Sequence, residues 1–228
     1  MKIRSLGEAL ALRWMRSIWC VPCAFCGEQP VQGAALCAVC AVTVEPMLRW
    51  QTLAVPTLVG WRYGGPLARW LTGLKFNGGI GSLQPFVWPM LAPAIGRLET
   101  DAVLVPIPPV AARLSVRGRH LPDEIARCLG RALGREVAVQ LLVRTDDAPP
   151  RSVTRRCTPQ FAVNEARGRK VWVVDDVVTT GVTLTRAVTA LAAAGAEVMG
   201  AICLTSAWTG PPPLSPEDAS DSPTCGGE

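Results

Sequence analysis

The chain has 228 residues, 49% hydrophobic and 18% charged, which is enough apolar material for one large or two small packed domains and excludes a disordered polymer. Its 23 lysines and arginines against 18 acids leave +5, and because residues 209–228 hold four acids and no base, residues 1–208 carry +9. A positive body excludes neither an anionic substrate nor a nucleic acid.

Lys2 and Arg4 imitate the start of a secretory signal, but Glu8, Arg13 and Arg16 interrupt any apolar stretch behind them. No run of 18 apolar residues occurs, so no membrane span is expected. Nine cysteines without a signal peptide point to metal ligands or free thiols in a reducing, cytoplasmic setting rather than to disulfides. Ile3, Leu6, Leu10, Trp14 and Ile18 recur at helical spacing, and residues 1–19 are predicted to form an amphipathic helix that packs on the rest of the protein.

Cys23-Ala-Phe-Cys26 and Cys37-Ala-Val-Cys40 follow. Two C-x2-C pairs on tight knuckles can place four thiolates around a tetrahedral zinc ion, and four sulfur ligands leave no open position for zinc chemistry. Gly27 stands where such a knuckle calls for a positive φ. Cys20 and Cys23 also make a C-x2-C pair, so a register in which Cys20 replaces Cys26 stays open. Residues 20–50 are read as this metal module and 51–208 as the main domain.

In the main domain Leu53 to Tyr63 is predicted as a strand, Gly64-Gly65-Pro66 as a turn, and Leu67 to Phe76 as a helix. Leu83 to Leu98 is a second helix, broken near Pro89 and Pro93. Asp101 to Val105 is a buried strand ending in Pro106-Ile107-Pro108-Pro109. Arg113, Arg117, Arg119 and His120 come next, a basic cluster suited to an anionic substrate or nucleic acid. His120, the one histidine, reads as a loop hydrogen-bonding residue or, less readily, a general base. Leu121 to Leu133 is an amphipathic helix with Asp123 and Glu124 in its first turn, Val137 to Val143 a strand, and Asp146 to Gln160 a polar loop over a site.

Val171 to Thr183 carries the chemistry. Val171 to Val174 reads as a buried parallel strand, Asp175 and Asp176 stand at its carboxyl end, and a loop with Thr179, Thr180 and Gly181 leads into a helix starting near Thr183. A helix N-terminus offers unpaired N–H groups and positive dipole to a phosphate. Ionised carboxylates only accept hydrogen bonds and so suit sugar hydroxyls or a metal ion. A phosphate cradle beside paired acids reads as a site for a phosphorylated ribose. Glu197 to Leu204 is a closing strand, and 209–228 a proline-rich, acidic, disordered tail.

The 13 residues from Val171 to Thr183 resemble the phosphoribosyl-diphosphate (PRPP) motif of type I phosphoribosyltransferases. That resemblance implies a Rossmann-like parallel α/β core in which Asp175, Asp176, Val177, Val178, Thr179, Thr180, Gly181, Val182 and Thr183 bind the ribose and its 5′-phosphate, with Mg²⁺ accompanying PRPP. From about Cys23 to Ala207 the chain further resembles the ComF family, on the paired C-x2-C module, Tyr63-Gly64-Gly65-Pro66-Leu67, Leu74-Lys75-Phe76, Val105-Pro106-Ile107-Pro108, Arg144-Thr145 with Pro149-Pro150, and the PRPP motif. The family implies an amino-terminal zinc module and a link to competence and DNA uptake. By position, Pro106, Pro108, Arg113, Arg117, Arg119 and His120 would line a pyrophosphate loop. Arg119-His120 replaces the family's Phe-Asn after Gly118, and Arg155-Arg156-Cys157-Thr158 shortens its arginine-rich hood; both departures fall on the second-substrate side. Three functions follow: transfer of phosphoribosyl with release of pyrophosphate, binding of single-stranded DNA without catalysis, or zinc-stabilised docking to a competence helicase.

Overall fold

The apolar runs pair into one sheet. The computed structural model describes residues 21–23, 25–27, 30–31, 36–76, 82–95, 97–98, 101–110, 119–145 and 159–207. β1 (Val21–Pro22) and β2 (Pro30–Val31) form a small antiparallel pair, followed by a single-turn helix α1 (Ala38–Ala41). β3 (Pro46–Thr52) and β4 (Pro56–Arg62) make an antiparallel hairpin, and α2 (Gly65–Phe76) follows. Short helices α3 (Gln84–Val87) and α4 (Leu91–Ile95) flank a 3-10 turn at Trp88–Met90. Then come β5 (Val103–Pro106), α5 (Leu121–Leu133), a hairpin of β6 (Leu142–Arg144) and β7 (Phe161–Val163), β8 (Lys170–Val178), α6 (Val182–Ala193) and β9 (Glu197–Ser206).

The central sheet has the order β3-β4-β9-β8-β5, parallel from β4 to β5 and antiparallel at the β3 edge. This is a mixed α/β fold on a mostly parallel sheet. Alternation along β8 divides the core. Trp172 and Val174 pack with α2, α3, α4 and α5, whereas Val171 and Val173 pack with α6 and the β6–β7 hairpin. Both faces are covered, so β8 reads as a continuous apolar run.

The crossover from β5 leads outward through α5 to Val137, which bridges Leu104 in parallel, while the crossover from β8 leads the other way through α6 to β9. Connections that part in opposite directions leave a crevice at the carboxyl ends of β5 and β8.

Several expectations are corrected. The strand expected over 53–63 is β4, shortened to Pro56–Arg62, and it is the second arm of a hairpin whose unexpected first arm, β3, begins at Pro46 and joins the main sheet. β8 does not stop at Val174; it carries both acids and ends at Val178. The strand expected over 137–143 is broken: Val137 keeps a parallel bridge to Leu104, the chain turns at Gln140, where the Asn164 side-chain amide donates to the Gln140 carbonyl at 2.9 Å, and Leu142 and Val143 belong to β6 instead. Phe161–Val163 is a strand just beyond the expected loop, where no element was expected. The helix over 1–19, residues 146–158 of the loop and the tail over 209–228 lie outside the described residues.

Gly200 stands opposite Trp172 on neighbouring strands, and a Cβ there would overlap the indole ring and come within 2.6 Å of the Pro56 carbonyl. Trp172 is itself held by an edge contact with Trp50 at 5.6 Å. Gly200→Ala is therefore expected to cost about 1–3 kcal/mol by overpacking. A urea midpoint equal to that of the parent chain would contradict this packing.

Candidate functional site

The site begins with two adjacent acids that meet different surroundings. Asp175 and Asp176 are 8% and 7% exposed. Asp175 lies in register with Cys203, and its Oδ1 accepts the Asp176 N–H at 2.8 Å. Burial and the neighbouring Asp176 charge push the Asp175 pKa well above the usual carboxylate range. Asp176 instead pairs with the Lys75 ammonium at the end of α2, and Thr205 Oγ1 donates to its backbone carbonyl at 2.9 Å.

Beyond β8 the chain turns through Gly181, whose φ of 74° is the left-handed conformation that glycine adopts without strain. Added atoms at its Cβ position would meet nothing within 4 Å, so the turn opens to space rather than to packed side chains. The first helical hydrogen bond of α6 runs from Thr185 N–H to the Gly181 carbonyl at 2.8 Å. The N–H groups of residues 182–184 therefore have no partner within the helix, which is the arrangement that receives an anion. The helix starts one residue earlier than expected, at Val182.

A cavity of about 330 Å³ lies against these elements, within the size range of small-molecule sites. Asp175, Asp176, Val177, Thr179 and Thr183 line one side of it. Ile107, Pro108, Pro109 and Val110, which follow β5, line another, together with Arg119 and His120 at the start of α5. Thr180, Gly181, Val182 and Pro106 do not line it. Val178 faces away: it packs with Val59 and Cys203, and its carbonyl accepts Ala207 N–H at 2.9 Å. A second cavity of about 420 Å³ shares Pro108, Arg119 and His120 and adds Pro106, Asp123 and Glu124. Arg113 and Arg117 lie outside the described residues.

Arg119 grips Glu124 with two hydrogen bonds, Nε to Oε1 at 2.9 Å and Nη2 to Oε2 at 2.6 Å, and this pairing holds its pKa up. His120, just before α5, is partly buried, and burial pushes its imidazole below the usual range against the opposing pull of Asp123 and Asp176. A hydrogen bond to the Ile107 backbone also favours its protonated form.

Sequence reasoning gave no role to Lys75, Tyr63 or Arg144, yet all three line the first cavity. Lys75 and Tyr63 stood inside the Leu74-Lys75-Phe76 and Tyr63-Gly64-Gly65 segments, and those segments were the signal that could have found them.

A separate cluster gathers Cys23, Cys26, Cys37 and Cys40, whose sulfur atoms all lie within 4.8 Å of one another. Four ligands at the usual Zn–S length of about 2.3 Å require sulfurs this close. Burial works against a charged sulfur at Cys23, but backbone N–H groups of Cys26, Cys37 and Phe25 outweigh it and bring the pKa down to about 6. The Cys37 and Phe25 N–H groups approach Cys23 Sγ at 3.3 and 3.4 Å. Cys40 shifts the other way, through burial and then its thiol neighbours. Four thiols so placed cannot all ionise without a cation among them, so these residues can hold a metal ion such as zinc. Gly27 has φ 72°, as the knuckle demands. Cys20, the alternative ligand, lies outside the described residues. Phe25, inside the first knuckle, stacks on Trp70 of α2 at 5.4 Å and meets Phe86 at 6.0 Å, tying the cluster to the core.

No helix among the described residues is long and apolar enough to cross a membrane. A search of curated proteins found no match. Residues 116–221 match the family model described as the phosphoribosyl transferase domain, a span that takes in α5, the paired acids, the Gly181 turn and β9. With the parallel sheet and the crevice at its carboxyl edge, that match supports the phosphoribosyltransferase family for residues 116–221.

Proposed function

We propose that the protein binds PRPP in the 330 Å³ cavity and transfers its phosphoribosyl group to an acceptor. The observation that carries this reading is the convergence on one cavity of two buried acids and the start of α6. The N–H groups at the start of α6 and the hydroxyls of Thr179 and Thr183 receive the 5′-phosphate. Asp175 and Asp176 take the ribose hydroxyls. Arg119, His120 and the 107–110 segment face the leaving pyrophosphate, with Arg113 and Arg117 as further candidates.

In the transfer, the bond from the anomeric carbon to the pyrophosphate oxygen breaks and pyrophosphate leaves with the electron pair. A bond from the acceptor's nucleophilic atom to that carbon forms, and the acceptor loses a proton. Such a reaction rests on positioning and on charge stabilisation more than on covalent help from protein groups. Mg²⁺, when bound with PRPP, supplies neutralisation of the pyrophosphate charge, and the acids at the end of β8 are oxygen ligands of the kind it accepts.

Cys23, Cys26, Cys37 and Cys40 are read as a closed structural zinc site. The ComF resemblance adds the finer proposal of a cytoplasmic protein serving DNA uptake, and the +9 charge of residues 1–208 favours a second reading in which single-stranded DNA is bound. The test is calorimetry with PRPP, followed by a screen of nucleobases and amines scored by pyrophosphate release. Saturable PRPP binding is expected. Absence of PRPP binding together with salt-sensitive binding of single strands would replace the transferase reading with the second one.

A further inference from the structure

Lys75 belongs to no stretch to which the sequence assigns phosphoribosyl chemistry, yet its ammonium reaches Asp176 inside the cavity. Its side chain is 22% exposed and that of Asp176 is 10%. The placement is rigid. Leu71 and Leu74 on the same helix are 1% exposed, and Trp70 is wedged between Phe25 and Phe86, 4.7 Å from the latter. Lys75 also lies in the last turn of α2, where the helix dipole favours a cation.

The consequence concerns charge. Two adjacent carboxylates in a nearly dry site repel an anionic ligand unless a cation accompanies it. A divalent ion can be that cation, but here a covalently anchored one already stands against one acid. The two acids are therefore unequal: Asp176 holds the ion pair with Lys75, and Asp175 accepts the Asp176 N–H.

We propose that Lys75 is a substrate-contacting residue that acts as the resident cation of this site, holding Asp176 and donating hydrogen bonds to the oxygens of the phosphorylated sugar, so that the protein holds PRPP with little dependence on Mg²⁺. The inference rests on the PRPP reading above. Ammonium to oxygen hydrogen bonds are charge-assisted and stronger than neutral ones, so one such contact suffices to shift affinity measurably.

The experiment is calorimetry with PRPP on the full chain, in buffer freed of divalent ions by resin rather than by a chelator that would strip the cysteines, and again with added Mg²⁺. Parent protein, Lys75→Met, Lys75→Gln and Lys75→Arg are compared, with melting curves as the folding control. The parent is expected to bind in both buffers with similar affinity. Met and Gln are expected to weaken binding by at least about tenfold without Mg²⁺, a factor that one charged hydrogen bond supplies, and to recover part of it when Mg²⁺ is added. Arg retains most of the affinity. Equal binding by parent, Met and Gln variants, or a parent that binds only with Mg²⁺, would overturn the role of Lys75 while leaving the PRPP reading intact. A parent that binds PRPP in neither buffer would overturn both.

Discussion

Asp175→Asn is expected to abolish measurable PRPP binding and at the same time to make the protein more stable. The two effects have one origin. Asp175 is buried beside another carboxylate, and its pKa is held up by burial first and by the Asp176 charge second. A group whose folded pKa exceeds its unfolded value contributes stability that is fully present below the unfolded pKa and is lost as pH rises through the folded one. At neutral pH, above the unfolded pKa, the native state therefore carries a cost for keeping this acid buried against an unfolded chain that ionises it freely. Asparagine removes that cost and keeps the shape, and a gain on the order of 1–2 kcal/mol is expected. It also replaces an acceptor oxygen by a donor, which a ribose hydroxyl paired to a carboxylate does not tolerate.

The measurements are urea midpoints from acid to neutral pH and PRPP calorimetry. The difference between parent and variant should grow as pH rises and vanish in acid. Retained PRPP affinity in Asp175→Asn would refute the assignment of this acid to the sugar. The double change to alanine at Asp175 and Asp176 should also lose PRPP, but it is the poorer test. It strands Lys75 without its partner, so it mixes a structural loss with the loss of the sugar contact.

Removing metal from the cysteine cluster is expected to lower the melting temperature steeply while leaving the central sheet folded. Without an ion the four sulfurs must share protons at close quarters, and the knuckle that positions Phe25 relaxes. Withdrawing Phe25 from Trp70 and Phe86 opens an aromatic pocket, a loss comparable to a core Phe→Ala at roughly 3 kcal/mol. For a chain of this size that corresponds to a fall of about 6–12 °C. Elemental analysis should give one zinc per chain in the purified protein. Phe25→Ala should keep the zinc and reproduce much of the thermal loss. An unchanged melting curve after complete zinc removal would show that the cluster bears no structural load.

Legibility in the sequence followed the range of the interactions. β8, the Gly181 turn and α6 were readable because a buried strand, a left-handed glycine and an open helix start are neighbours in the chain. Leu121–Leu133 was bounded correctly because acids mark its first turn and Gly134, at φ 66°, ends it. The cysteine pairs were visible through spacing. The partner of Asp176 was not, since no local pattern couples an acid on β8 to Lys75 on α2. The reading over 137–143 failed because the chain turns between the Val137 bridge and β6, so the buried Leu141 and Leu142 do not continue a strand begun at Val137. β3 escaped notice because Arg49 and Gln51 interrupt its apolar pattern, although Gln51 is itself buried. Val178 belonged to the motif but serves the core, a distinction that only strand alternation in three dimensions makes.

The cavity's walls have unequal ancestry along the chain. One part of the lining comes from a single stretch, 175–183, while the rest is assembled from Tyr63, Lys75, the 107–110 segment, residues 119–122 and Arg144. A wall drawn from one stretch changes as a block or not at all, whereas one drawn from scattered segments can be altered a residue at a time. Under the transferase reading, retuning the acceptor is thus a matter of piecemeal substitution among the scattered residues other than Lys75, Arg119 and His120, with the 175–183 stretch left untouched.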